Sequence, residues 1–391
     1  MDFDFSDEEL AFREEVRTWL AEHVPADKAP EDGPAMRDYD LAWQRTQYDG
    51  GWAGISWPVQ FGGRGLSTIE QLIWFEEYAR AGAPSIGANF VGINHAGPTL
   101  IARASDGQRA AHLPPILRGD VVWCQGFSEP GAGSDLAGLQ TRGEIDGDEL
   151  VVTGSKVWTS FANLADYQEL LVRTDRDAPK HKGITWIICD MRSPGIEVRP
   201  IRTMNRTAHF SEVFYDEVRI PLANVVGGLN EGWSVAMSTL SFERGTGFMA
   251  DQVELARTVD DLIALARTTT GPDGRRPAIA DEEVARRLAT ARAEVAALRA
   301  MTYASVSRNL RQQTPGPEAS ISKVFYAELQ QRVGRLAMDI LGHAAFDLVH
   351  DPLVGEGWPA WYLRGYGVSM GGGTPDIQRN IIAERVLGLP R

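Results

Sequence analysis

A glycine-rich segment is the first candidate for ligand chemistry in this sequence. It reads GFSEPGAGSDLAGLQT, residues 126–141, and TGSKVWTS follows at residues 153–160. Glycine has no side chain to obstruct an approach to the backbone, so donors in the GAGSD turn could lie close to a phosphate or a planar ring. No strand–glycine–helix unit surrounds the turn, so it is not a dinucleotide fingerprint. An ordinary surface turn is the alternative.

An acidic residue among apolar neighbours is the second candidate. Glu243 lies in LSFERGTGF, near Leu240, Phe242 and Phe248. Partial loss of water raises the pKa of a carboxyl group toward the working pH, which a general base needs. Glu243 could instead form an ion pair with a neighbouring arginine, since Glu-Arg dipeptides are common on helices.

The segments that position these candidates differ in periodicity. Near the start, Ser6 and Glu9 form a capping-box pattern, and apolar residues spaced by three or four predict a second helix over residues 67–81. Long helices return in the last part of the chain, with one predicted over residues 281–309 and a final one over residues 375–388.

Short β-branched runs separated by turns occupy the middle of the chain. The Asp-Gly turn in IDGDELVV, residues 145–152, predicts a β-hairpin. The order of segments predicts an α+β multidomain fold. Its parts are an N-terminal helical domain at residues 1–118, a middle β-barrel or sandwich at 119–229, and a C-terminal four-helix bundle at 230–391.

Composition limits the function classes. The net charge of −14 over 391 residues argues against a nucleic-acid surface, which needs a basic patch. Cys124 and Cys189 belong to no metal-binding pattern, so we expect no metal and two buried thiols. No apolar run approaches membrane-spanning length, and the N-terminus is acidic where a secretory signal would be basic, so a cytoplasmic location is expected.

Seven segments, in one order along almost the whole chain, resemble landmarks of the acyl-CoA dehydrogenase family. They are WPVQFGGRGLS, SEPGAGSDLAGLQT, GSKVWTS, VFYDEVRIPLANVVGG, EGW, FERG and GGGTPDIQRNIIAERVLG. The resemblance implies FAD-dependent α,β-dehydrogenation of an acyl-CoA to the trans-2-enoyl-CoA. It also implies an electron-transfer flavoprotein as the acceptor and a homotetramer or homodimer as the assembly.

The resemblance also implies the site residues. Trp158 would stack on the flavin ring, and Phe127 and Ser128 would bind its edge, whereas core packing is the ordinary use of a tryptophan. The cofactor-binding residues it implies are Gln125, Phe127, Ser128, Gly133, Ser134, Trp158, Ser160, Arg276, Asp339, Thr374 and Asp376. The substrate-binding residues it implies are Ser134, Arg244 and Gly373.

The position of the base departs from the commoner family pattern. Many members place the glutamate just before the Gly-Thr of the last motif, where this chain has Gly372. Glu243 occupies the family's alternative position and is therefore the predicted base. The backbone N–H of Gly372 is predicted to bind the thioester carbonyl. The missing side chain at Gly372 also suggests a branched or bulky acyl group.

Two further departures concern the neighbouring subunit. The family's Arg-x-x-Phe-Gly motif is replaced by a segment containing Arg275 and Arg276, and its Gln-x-x-Gly-Gly segment begins here with Asp339. A carboxylate is a poor partner for a phosphate, so a heteromeric complex is also considered. Two other functions stay open, namely a flavin oxidase or monooxygenase of the same fold and a structural subunit of a mixed acyl-CoA dehydrogenase complex.

Overall fold

The computed structural model describes residues 5–246, 248–312, 316–317, 319–346 and 357–390. Within these ranges, residues 243–246, 248, 311 and 312 are described by their backbone alone. The order of elements is helical, then β, then helical, which confirms the predicted α+β class.

Helices make up the first part of the chain. Ser6 and Glu9 exchange both capping-box hydrogen bonds at the start of the first helix, as predicted. Ser67 and Glu70 do the same at the helix predicted over residues 67–81. The helices are α1 (Asp7–His23), α2 (Gly33–Asp49), α3 (Thr68–Arg80), α4 (Gly97–Arg103) and α5 (Asp106–Arg118).

Eight strands form one sheet in the middle part of the chain. The predicted hairpin is present, since Asp146 pairs with Glu149 across a two-residue turn. Apolar residues from both halves of the sheet share one core, as in a sandwich. The strands are β1 (Trp123–Gly126), β2 (Arg142–Asp146), β3 (Glu149–Ser160), β4 (Tyr167–Arg173), β5 (Ile184–Asp190), β6 (Ile196–Ile201), β7 (Phe210–Pro221) and β8 (Val225–Val226). Their order in the sheet is β6-β7-β3-β2-β4-β5-β8, and β1 pairs with β4.

The last part is helical and has its own apolar core. The helix predicted over residues 281–309 is present as α8. The final helix begins at Pro375 as predicted, but it is regular only to Ile381 and continues as a π-helix, Ile382–Val386. The helices are α6 (Gly232–Thr246), α7 (Phe248–Thr268), α8 (Glu282–Gln312), α9 (Ala319–Leu341), α10 (Gly357–Met370) and α11 (Pro375–Ile381).

A buried carboxylate joins the first and last helical parts. Glu76 on α3 is fully buried, and one of its oxygens accepts hydrogen bonds from Arg13 of α1 (3.2 Å) and Arg80 of α3 (3.1 Å). The other oxygen accepts from Gln252 of α7 (3.1 Å) and Tyr303 of α8 (2.8 Å). A charge taken out of water in this way depends on all four donors.

Replacing Glu76 with glutamine is expected to lower the free energy of unfolding by about 1–3 kcal/mol, because an amide group then faces donors that need an acceptor. Urea titration followed by circular dichroism would measure the change. Glu14→Gln is the control, since Glu14 forms an exposed pair with Arg17 and should change stability by less than about 0.5 kcal/mol. Equal effects of the two substitutions would contradict the assigned role of Glu76.

Across the described ranges, none of the helices is both long and apolar enough to cross a membrane. The same residues contain no group of three or more His, Cys, Asp or Glu side chains placed to hold a metal ion. Cys124 and Cys189 are both buried and free, as predicted.

Candidate active site

An ion pair inside the protein ties the glycine-rich segment to β3. Lys156 is fully buried, and its Nζ donates to Oε1 of Glu129 (2.8 Å) and to the carbonyl of Phe127 (3.1 Å). The Glu129 carboxylate also accepts the backbone N–H groups of Gln140 (2.6 Å) and Thr141 (2.8 Å). The Glu129 carboxylate therefore binds both ends of the segment. We call its ion pair with Lys156 the Lys156–Glu129 clamp.

Burial and pairing act in opposite directions on the pKa values of the two clamp residues. Loss of water lowers the pKa of Lys156 to about 8, although the charge of Glu129 opposes the fall. Burial acts to raise the pKa of Glu129, but the charge of Lys156 and the hydrogen bonds from Lys156, Thr141 and Gln140 outweigh it and hold the pKa below its ordinary value. At neutral pH the clamp is therefore a charged pair.

A β-bulge directs Trp158 out of the core. Lys156 and Thr159 are three residues apart on β3 but face residues two apart on β7, so one extra residue is accommodated between them. Trp158 has a φ of 60°, its side chain is 58% exposed, and its ring meets Phe210 edge-on at 6.1 Å. The core-packing alternative for Trp158 is therefore wrong. Ser160, two residues on, ends the strand and is half-buried.

The glycine-rich turn has open space beside its backbone. The carbonyl of Ser128 accepts the N–H of Val157 (2.9 Å), so the start of the turn lies against the bulged part of β3. A Cβ atom added to Gly131 or Gly133 would meet no atom within 4 Å. Ser134 is exposed in the same turn. The turn and the bulge together leave backbone, hydroxyl and aromatic groups accessible at one place.

Gln125 on β1 joins a buried polar group behind this surface. Its Nε2 lies 2.8 Å from Oε1 of Glu169 on β4 and 3.0 Å from Nδ1 of His95. Glu169 is fully buried, and His95 belongs to the π-helix Gly92–Ala96 that precedes α4. The amide of Gln125 thus braces β1 against the N-terminal helices, and its role toward a cofactor stays a prediction.

The predicted base lies on α6, which packs against β5 and α4. Thr239 on α6 and Thr99 on α4 are both fully buried, with their hydroxyl oxygens 2.8 Å apart. Glu243 follows Thr239 by one helical turn, and Arg244 comes next. The side chains of Glu243 and Arg244 lie outside the described residues, so their predicted roles are untested.

The GGGT segment forms the connection between α10 and α11. Gly372 and Gly373 have φ values of 64° and 99°, a backbone conformation that suits glycine. Thr374 caps α11, its hydroxyl accepting the N–H of Ile377 (3.4 Å). The carbonyl of Gly372 accepts a hydrogen bond from Nε2 of Gln378 (2.9 Å).

Three predicted cofactor residues lie on the surface. Arg276 pairs with Asp273 in its own loop (2.7 Å), and Asp339 on α9 pairs with Arg287 on α8 (2.7 Å). Asp376 is 94% exposed in the first turn of α11. Nowhere in the described ranges do the hydrogen bonds of these residues reach β1 or β3. Their roles toward a flavin stay predictions.

The Lys156–Glu129 clamp was not among the predictions, although the sequence contains a signal for it. Leu150, Val152 and Lys156 alternate onto one face of β3, and all three are buried. A lysine on the inward face of a strand requires a buried acceptor. Glu129 is one of the two acidic residues of the neighbouring motif.

Three domain models of the acyl-CoA dehydrogenase family match most of the chain. The acyl-CoA dehydrogenase N-terminal domain matches residues 6–120, the middle domain matches residues 124–218, and the C-terminal domain matches residues 230–387. Acyl-CoA dehydrogenase IpdE1 of Mycobacterium tuberculosis is 39% identical over 97% of each chain. Acyl-CoA dehydrogenase FadE26 of the same organism is 36% identical over 87% of this chain and 86% of that protein.

Two similar solved structures cover the full length of both chains at 34% identity. One is titled Tcur3481-Tcur3483 steroid ACAD and has a TM-score of 0.86. The other is the ChsE4-ChsE5 complex from Mycobacterium tuberculosis, with a TM-score of 0.83. Members of this family are generally flavin-dependent. The chain belongs to the acyl-CoA dehydrogenase family and is an oxidoreductase of that family.

Proposed function

We propose that the chain binds FAD and catalyses α,β-dehydrogenation of an acyl-CoA thioester, with Glu243 as the base. The observation that carries the proposal is the surface formed by the exposed Trp158 and the clamped glycine-rich turn. A strained, exposed tryptophan costs folding free energy, and such strain collects at functional sites. The function of the bulge would then be to present the indole of Trp158 to a planar ring.

The residues present at this surface fit a flavin. Phe127 and Ser128 would bind the ring edge through a backbone amide and a hydroxyl, and Trp158 would cover one ring face. Ser160 and the N-terminus of α11 at Thr374 would hold the rest of the cofactor. When bound, the flavin supplies the acceptor for the hydrogen that leaves the β-carbon with its electron pair.

The chain's own residues would remove the proton. The carboxylate of Glu243 takes the proton from the α-carbon, and negative charge develops on the thioester oxygen. The backbone N–H of Gly372 would donate to that oxygen, which lowers the barrier because the donor is already in place. Ser134 and Arg244 would hold the CoA portion, and Gly373 would bind the substrate beside the thioester. The product is the trans-2-enoyl-CoA.

A bulky acyl group is the proposed substrate class. Gly372 carries no side chain where many members have a glutamate, which leaves room beside the α-carbon. One of the similar structures is titled a steroid enzyme, so thioesters with ring-bearing or branched acyl groups are proposed here. Transfer of the electrons to an electron-transfer flavoprotein and a cytoplasmic location complete the proposal.

The proposed assembly includes a second, non-identical chain. The similar structure titled the ChsE4-ChsE5 complex names two chains. In this chain Asp339 and Arg276 are occupied by surface ion pairs, which weakens the expectation that they reach the flavin of an identical neighbour. A homotetramer or homodimer is the alternative that size-exclusion chromatography with light scattering would detect.

Anaerobic mixing of the FAD-loaded protein with acyl-CoAs tests the proposed function. We expect the absorption of the oxidised flavin to disappear with a branched or steroid-like thioester, faster than with a straight medium-chain one. The corresponding free acids are the control. Turnover that requires oxygen would favour the oxidase alternative, and a chain that takes up no FAD would favour the structural-subunit alternative.

A further inference from the structure

The GGGT segment has little stiffness of its own. Gly371, Gly372 and Gly373 are consecutive, and glycine has more conformational freedom than any other residue. A backbone donor stabilises a developing charge well only when it is held in place before the reaction. If the Gly372 N–H has its proposed role, neighbouring side chains must hold the segment.

Lys323 holds the first peptide of this segment. From α9, its Nζ donates to the carbonyl of Gly371 and lies 3.4 Å from the carbonyl of Val368 in the last turn of α10. The final carbonyls of a helix lack partners within the helix and favour a cation. The carbonyl of Gly371 and the N–H of Gly372 belong to one planar trans peptide and point in opposite directions. Lys323 therefore fixes the direction of the Gly372 N–H.

Gln378 holds the second peptide in the same way. Its side chain is 2% exposed, and Nε2 donates to the carbonyls of Gly372 (2.9 Å) and Gly373 (3.4 Å). The first of these bonds fixes the peptide that carries the N–H of Gly373. A Cβ atom on Gly373 would lie 2.7 Å from Nε2, so the bond needs glycine there.

Lys323 also acts on a carboxylate of α7. Asp251 on α7 has its pKa raised to about 8, first by loss of water and then by the charge of Glu254, while Lys323 opposes the rise. An ammonium group therefore lies within electrostatic reach of α7 as well as of the glycine segment. A substitution that removes the charge of Lys323 should therefore change the electrostatic environment of Asp251 as well as the hydrogen bonds to the glycine segment.

We propose that Lys323 and Gln378 are positioning residues that aim the amides of Gly372 and Gly373 at the thioester. The inference rests on the proposed function, because it assigns these two side chains to the oxyanion contact of that reaction. Neither side chain touches the reacting atoms. Each acts through one peptide plane.

The test compares Lys323→Met with Lys323→Arg in the FAD-loaded protein. We expect Lys323→Met to lower the rate of flavin reduction at saturating acyl-CoA about 10- to 100-fold with little change in KM, because a contact made mainly in the transition state is weakened. Lys323→Arg should recover most of the rate. Gln378→Met should likewise lower kcat with little change in KM. It is the alternative variant if Lys323→Met does not fold.

A bound 3-oxoacyl-CoA provides a second readout. Its α-proton is acidic, and the enolate stacked on oxidised flavin is expected to give a long-wavelength charge-transfer band. Weaker oxyanion contacts should raise the pH at which this band forms in Lys323→Met. Arg332→Met is the matched control. Arg332 lies elsewhere on α9 and pairs with Glu294 of α8 (2.9 Å), so its replacement should leave the band and the rate unchanged.

Two results would overturn the inference while leaving the proposed function intact. One is a Lys323→Met protein that matches the wild type in rate and in the band. The other is an equal loss in Lys323→Met and Arg332→Met, which would indicate a general packing effect. A wild-type protein whose flavin is not reduced by any acyl-CoA would instead refute the proposed function itself.

Discussion

Glu243→Gln is expected to lower the rate of flavin reduction by acyl-CoA by about 10²- to 10⁴-fold, the usual contribution of a general base. Glutamine keeps the shape of the side chain but cannot accept the α-proton. Because Gly372 has no side chain, no carboxylate at the commoner position would replace it. Anaerobic stopped-flow measurement with a branched acyl-CoA would give the rate.

The binding properties of the Glu243→Gln protein separate a catalytic role from a structural one. FAD content and acyl-CoA affinity should stay near the wild-type values, since the substitution preserves volume. Glu231→Gln is a suitable control, because Glu231 is an exposed carboxylate at the start of α6. Unchanged flavin reduction in Glu243→Gln would remove Glu243 from the mechanism.

Breaking the Lys156–Glu129 clamp is expected to have the second large effect. Lys156→Met leaves the Glu129 carboxylate without its cation, and breaking a buried pair on one side costs about 3–5 kcal/mol. The carboxylate holds both ends of the glycine-rich segment, so the segment should loosen and FAD should dissociate. Urea unfolding and the flavin absorbance of the purified protein measure the two effects.

A double-mutant cycle makes this prediction specific. Lys156→Met combined with Glu129→Gln should be less destabilised than the sum of the single variants, since neither charge is then left alone. Lys180→Met is the control, because Lys180 pairs with Asp135 of the same segment at an exposed position and should change stability by less than about 0.5 kcal/mol. Additive effects of Lys156→Met and Glu129→Gln would show that the two side chains are not energetically coupled.

The parts of the fold that depend on near neighbours could be predicted from the sequence. Ser6 and Glu9 are three residues apart, and both capping bonds form as expected. The hairpin at Gly147 depends on a two-residue turn and was predicted for the same reason. Helical spacing likewise indicated α8 within three residues at each end.

The details that depend on distant partners could not be predicted. The exposure of Trp158 follows from a bulge against β7, about fifty residues further along the chain. A bulge is defined by how two strands pair, so the residues of β3 alone do not reveal it. Lys323 reaches a carbonyl 48 residues away. Resemblance identified the glycine segment and the tryptophan, but the side chains that hold them in place required the three-dimensional structure.

The carboxylate of Glu76 has a consequence for how the chain is made. Its donors Gln252 and Tyr303 lie 176 and 227 residues further along the sequence, so they leave the ribosome long after α3 does. Until then the carboxylate must stay hydrated, and α3 cannot bury the side that carries it. The N-terminal helices therefore complete their packing only after α7 and α8 have been synthesised, and a nascent chain halted before α7 should remain a substrate for chaperones and proteases.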